Sequence, residues 1–250
     1  QLLHAGSGTF TLGSQAQLQN LTHNNSQPAL TDGARIVSTG ALHITSAELT
    51  NSGSIYAAHN INTTATRLDN SGTVYTAGGQ TLTTSNAITS SGTIAAAKDL
   101  TIHAGSFSGT STNVLAAGMA SDGKLTDTGA LSLTTTNALQ TAGQALATGN
   151  ASLSGASLDL SNSTTGTTTG HLSLTSTSGN VLAQSAQIST PGLLTLNAHQ
   201  KLDNTSGQIS AVQLNIHADQ IDNTQGLIQQ TGTGLQMASI TSTNAVNNSA

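Results

Sequence analysis

Apolar and polar positions alternate along this chain in short bursts, and the bursts return about every 20 residues. One recurring phrase reads Leu-x-Asn-x-Gly-x-Ile. It occurs at Leu49-Thr50-Asn51-Ser52-Gly53-Ser54-Ile55 and at Leu68-Asp69-Asn70-Ser71-Gly72-Thr73-Val74, with a variant at Ile88-Thr89-Ser90-Ser91-Gly92-Thr93-Ile94. Late in the chain it returns one residue longer, as Leu202-Asp203-Asn204-Thr205-Ser206-Gly207-Gln208-Ile209 and Ile221-Asp222-Asn223-Thr224-Gln225-Gly226-Leu227-Ile228. A second phrase, Leu-x-Ile/Leu, falls between the copies. It appears at Leu42-His43-Ile44, Leu100-Thr101-Ile102, Leu131-Ser132-Leu133, Leu172-Ser173-Leu174, Leu194-Thr195-Leu196, Leu214-Asn215-Ile216 and Leu235-Gln236-Met237. Ile61-Asn62-Thr63 and Leu82-Thr83-Thr84 keep only its first apolar residue.

Strict alternation puts successive side chains on opposite faces and predicts half-buried strands of about 3–5 residues. Helix is set aside, because apolar residues at i and i+2 fall on nearly opposite sides of a 3.6-residue turn. A unit this short cannot bury its own apolar face and must stack on its neighbour. The expected architecture is therefore all-β: a parallel β-helix, or solenoid, of about 12 coils forming a monomeric rod on the order of 55 Å long. Leu68, Ile94, Leu100, Ile102, Leu214 and Ile216 are its expected core. Asn51, Asn70, Asn204 and Asn223 occupy one corner, where stacked amides can form a ladder and Asn tolerates a left-handed turn. The glycine two or three residues later is expected to supply positive φ where a Cβ would clash.

Regularity breaks in two places. Val114 to Leu131 is 17 residues, whereas the matching step from Ile94 to Leu100 is six, so a loop of about 11 residues is expected near 119–129. Between about Ala130 and Pro191 the Asn-x-Gly phrase fades while the strands continue. No linker or composition shift divides residues 1–250, which read as one continuous β-helix segment. The opening Gln1, with no leader-like stretch after it, points to an internal piece of a longer protein.

Composition narrows the function classes. Hydrophobic residues are 35% and aromatics only 2%, which supplies a thin aliphatic core rather than one bulky centre. Five Lys plus Arg against ten acids leave no basic patch for a phosphate backbone, so nucleic acid is not an expected partner. No apolar run is long enough for a membrane span. The lack of cysteine rules out disulfide staples and thiolate metal sites, and the parallel strands and aliphatic interior are expected to give stiffness without metal, disulfide or cofactor.

The phrase pair, as in Ser91-Gly92-Thr93-Ile94-Ala95-Ala96-Ala97-Lys98-Asp99-Leu100-Thr101-Ile102, resembles the haemagglutinin repeat of filamentous haemagglutinin-type exoproteins. These are two-partner secretion proteins of bacteria, among them adhesins and contact-dependent growth inhibition effectors. The resemblance is strongest over 40–110 and 200–230. It implies a right-handed parallel β-helix, secreted through an outer-membrane barrel partner to the cell surface and engaging a receptor on a target cell. No secretion domain and no toxin domain is recognisable. The segment reads as a shaft that mediates cell contact, in adhesion or in toxin delivery, and not as an enzyme.

The alternative is a carbohydrate-binding or carbohydrate-cleaving β-helix. Asp203 and Asp222 share a register on adjacent coils, a spacing suited to acid–base work or to Ca²⁺. Lys201 and Arg67 sit two residues before an acid and can instead form surface ion pairs with Asp203 and Asp69. The eight histidines lack metal-site spacing and read as surface residues; the Asn-x-Ser/Thr triplets read as chance. Tyr56 and Tyr75 fall one coil apart at equivalent positions, and can stack as a sugar-binding pair or simply cover the surface. The loop carries Met119, Asp122, Lys124, Leu125 and Asp127 and is expected to project from the rod, either contacting a receptor or a neighbouring filament segment, or as a solvated insertion.

Overall fold

A computed structural model describes residues 2–20, 34–234 and 238–249, and all their regular structure is β-strand. The copy of the second phrase at Leu235-Gln236-Met237 and the triplet Asn20-Leu21-Thr22 lie wholly or partly outside the described residues.

Among the described residues the strands form three ladders, each of eleven segments joined by ten parallel pairings. The first runs from Leu2–His4 through Ser54–Ala57, Thr93–Ala96 and Val114–Ala117 to Leu227–Gln230. The second carries the Leu-x-Ile phrase and includes Leu100–Ala104 and Leu131–Thr135. The third leads into the asparagine corner and includes Ala87–Ser90 and Ser106–Gly109. Each coil visits all three, giving a parallel β-solenoid of about ten turns, roughly 48 Å at strand spacing. The expected twelve is too many because two coils are long. Leu2 pairs with Ile36, 34 residues on, and Val114 with Gln144, 30 residues on, where other first-ladder steps take 19 to 23.

The interior is an aliphatic column. Leu68, Ile94, Leu100, Ile102 and Ile216 are fully enclosed and Leu214 nearly so. Two sequence alignments were displaced. Leu82 pairs with Thr63 and Ile102, so Gln80, not Leu82, stands beside Ile61 and Leu100. A slip of two keeps every side chain on its face, so alternation cannot detect it. At the other site Ile94 pairs with Leu115, and Val114 points outward beside Thr93. That slip of one exchanges faces, and it arose because Val114 and Leu115 are both apolar.

The asparagine corner is a hydrogen-bonded ladder. Asn20 Nδ2 donates to Asn51 Oδ1 at 2.7 Å, and Asn51 Nδ2 to Asn70 Oδ1 at 2.8 Å. After a gap it resumes, Asn204 to Asn223 at 2.7 Å and Asn223 to Asn248 at 2.7 Å. The expected backbone roles differ, since none of these asparagines adopts positive φ. In the later, longer phrase that conformation falls two residues on, at Ser206 (φ 57°) and Gln225 (φ 54°), and likewise at Asn162 and Ser185. One left-handed residue per coil absorbs the extra length. The phrase glycines also lack positive φ; they are required by close approach. A Cβ on Gly72 would stand 2.1 Å from the Gly53 carbonyl oxygen, and one on Gly207 2.3 Å from that of Ala183.

Thermal and urea melts should separate the two faces of one strand. Ile102→Ala is expected to cost about 2–4 kcal/mol, and Thr101→Ala less than about 0.5 kcal/mol. Gly72→Ala should destabilise although it adds a single methyl, because the obstacle is backbone. Equal effects at positions 101 and 102 would mean that the register is wrong.

Candidate functional site

The chain leaves the first ladder at Ala117 and enters the second at Leu131, and the intervening residues form the one built excursion among those described. Gly118 turns it outward with φ 79°. Met119 and Leu125 then form an antiparallel bridge, closed by Ala120 N–H donating to Lys124 O at 2.8 Å. Gly123, at φ 81°, takes the tight end of this small hairpin, and Asp122 Oδ1 accepts from Lys124 N at 3.1 Å. Its base is fastened by Asp127 N–H to Gly118 O at 3.0 Å and Gly129 N–H to Thr148 Oγ1 at 2.8 Å.

The hairpin does not stand free of the rod as a projecting loop would. Met119 N–H donates to Ala96 O at 3.0 Å, and Tyr75 Oη donates to Met119 O at 3.1 Å. Ala95 and Ala116 lie at outward positions of the first ladder yet are fully buried, as expected beneath a covering segment. Small side chains at 95 and 116 leave room for it, whereas the two preceding coils carry Tyr56 and Tyr75 there.

Those two rings stack, with centroids 6.0 Å apart and planes inclined by 21°. With the hairpin as one wall they line an open groove of about 490 Å³, which also includes Ser54, Thr73, Thr93 and Gln144. Burial first, then the charge of Asp127, then Tyr56 and Asp122, push the Tyr75 phenol above its ordinary value. Of the loop residues singled out in the sequence, Met119 borders the groove and Leu125 is half-buried. Asp122 and Lys124 pair with each other at 3.3 Å on the exposed tip, and Asp127 lies exposed beyond it.

The candidate carboxylate pair has different chemistry. Lys201 Nζ lies 3.0 Å from Asp203 Oδ2 and 3.0 Å from Asp222 Oδ2, bridging two coils. Each acid also accepts two bonds from the threonine two residues on, Thr205 or Thr224. Burial raises the Asp203 carboxyl, but the Thr205 hydroxyl and Lys201 outweigh it, and the acid sits below its usual range. Asp222 is lowered too, by Thr224 first and then Lys201. The bond Lys201 donates to Asp203 raises its own ammonium against desolvation, and the bond it donates to Asp222 adds to this. Both acids therefore stay ionised at neutral pH, so neither holds a proton to donate. Arg67 and Asp69 pair at 3.0 Å at the surface. His43, His171 and His217 each meet a hydroxyl or backbone partner, and no cluster of three or more potential metal ligands occurs among the described residues. No helix there is long and apolar enough to cross a membrane.

This chain is similar to Toxin CdiA of Yersinia pestis. The two are 33% identical over 143 residues, 57% of this chain. The chain spans only 4% of the length of that curated relative. No family model matches the chain, and no solved structure does.

Two measurements test this chemistry. Deleting 119–129 should leave the strand signal intact and bring the late-ionising tyrosine back toward its ordinary value in an ultraviolet pH titration, since burial and both aspartates go together. An unchanged titration would place the hairpin elsewhere. For the ion cluster, lowered acids contribute stability above the usual carboxylate range and lose it as pH falls through their folded values. A raised lysine contributes below its usual value and loses it as pH rises through the folded one. Lys201→Met should therefore destabilise most between about pH 5 and 10, and progressively less as pH falls below the usual carboxylate range. A pH-independent difference in urea midpoints would reject the pairing.

Proposed function

We propose that this chain is a rigid shaft segment of a large secreted bacterial surface exoprotein. The shaft holds an adhesive or toxic region away from the producing cell so that it meets a receptor on another cell. The observation that carries this reading is the unbroken stacking of the three ladders, joined to the similarity with Toxin CdiA. A solenoid resists bending because every coil is hydrogen-bonded to the next along three faces, and length can be added or removed in whole coils. Such a rod is monomeric and needs no cofactor. Export runs through an outer-membrane barrel partner, and coil-by-coil folding outside the cell draws the unfolded chain outward.

The test uses the full-length gene product in the producing bacterium. It should become accessible to added protease on intact cells only when its barrel partner is present. Excising 54–72 removes one coil in register, because Ser54 pairs with Thr73, and should leave display intact. Excising 54–63 breaks all three ladders and should reduce display severely. A product retained inside the cell despite the partner, or equal display of the two deletions, would overturn the reading.

A further inference from the structure

We propose that the groove between the tyrosine pair and the 119–125 hairpin is a binding site for a neutral oligosaccharide. The proposal rests on this groove alone and stands whether or not the chain is a shaft.

The chain has only two tyrosines, and both stand side by side on adjacent coils, half-buried, with stacked rings. An outward aromatic pair, continued along its ladder by Val37 on one side and Ala95 on the other, presents a strip of apolar ring surface about one coil step long. Pyranose rings show just such a face, their axial C–H groups, to aromatic rings, while their hydroxyls point sideways. The sides of this strip carry matching groups. Ser54, Thr73 and Thr93 succeed one another along the first ladder, with Gln144 farther along, and offer hydroxyls and an amide that both donate and accept. The opposite wall, Met119 to Gly123, turns the strip into a groove that can shield one edge of a ligand from water.

Orientation is built in. The Tyr75 hydroxyl is committed to Met119 O, which fixes that ring without a ligand, so little side-chain freedom is lost on binding. Charge selects among glycans. No lysine or arginine is among the lining residues: Lys124 is paired with Asp122 at 3.3 Å, Arg35 stands one coil before Ser54, and Asp127 lies close enough to raise the Tyr75 phenol. An anionic glycan would find the hairpin's one cation already paired and the charge of Asp127 nearby; a neutral one meets no charge penalty.

Because the chain has no tryptophan, its tyrosine fluorescence reports on this groove alone. The 250-residue chain is titrated with cellotetraose, maltotetraose and chitotetraose, with heparin as the anionic comparison, by fluorescence and calorimetry. At least one neutral tetrasaccharide should bind and change the emission. Tyr56→Ala should weaken it about tenfold or more, the loss of one stacked ring, with the melting temperature within a degree or two of the parent. Tyr75→Phe keeps the ring but frees it, and should weaken binding less than Tyr56→Ala does. The proposal is overturned if no neutral probe binds at millimolar concentration, if Tyr56→Ala and Tyr75→Ala both bind as the parent does, or if heparin binds more tightly than every neutral probe.

Discussion

Backbone pairing between successive coils, at the fixed spacing of parallel strands, is the constraint from which the remaining features of this molecule follow. The spacing of about 4.8 Å is set by the hydrogen bonds and cannot stretch to admit a side chain. Where the chain turns a corner, the next coil's α-carbon therefore comes to rest over a carbonyl, which is why Gly72 and Gly207 tolerate no Cβ. The same spacing turns repetition in sequence into contact in space. Equivalent asparagines fall within amide hydrogen-bond reach, equivalent tyrosines stack, and one lysine reaches acids on two coils at equal distance.

The thinness of the interior follows as well. A coil of about 20 residues divided among three short strands has only a few inward positions per face, so the column is filled mainly by Leu, Ile, Val and Ala, with Phe107 and some threonine. Inward threonines are tolerated near strand ends, where a carbonyl of the turn is within reach. Thr76 Oγ1 donates to Ala57 O at 3.1 Å and accepts from Gly78 N, and Thr135 Oγ1 donates to Asn137 O at 2.9 Å. Gln80 and Asn113 are different. Their buried side-chain amides find no protein partner, a local cost the stacking on either side has to outweigh.

How much of this was legible in the sequence depended on whether a feature was periodic. Alternation identified the inward faces at Leu68, Ile102 and Ile216 because period two is a local property. It failed in the ways its arithmetic allows. A slip of two at Leu82 preserved the faces, and a slip of one at Val114 passed because its neighbour Leu115 is equally apolar. Glycine at the corner was read correctly as a place where a Cβ would clash, but the positive φ expected with it is absent, since the obstacle is the carbonyl of the stacked coil and not the turn's own conformation. The excursion's length could be counted, its destination could not. That Ala95 and Ala116 are small has meaning only once pairing shows that they share a face with Tyr75.

A regular solenoid makes every coil alike, and likeness works against recognition, because a surface that repeats offers a ligand many equivalent weak positions and no distinct one. Distinctness has to come from a place where the repeat is interrupted without interrupting the ladders beneath. The hairpin of 119–125 meets that condition. The pairings of Val114–Ala117 with the coils on either side persist while ten or so added residues fold back over them. The insertion lands beside the chain's only tyrosines, and one of these is hydrogen-bonded to it. Stiffness and recognition thus reside in different parts of the same coil, the first in backbone that must not vary and the second in an excursion that packing leaves free to vary.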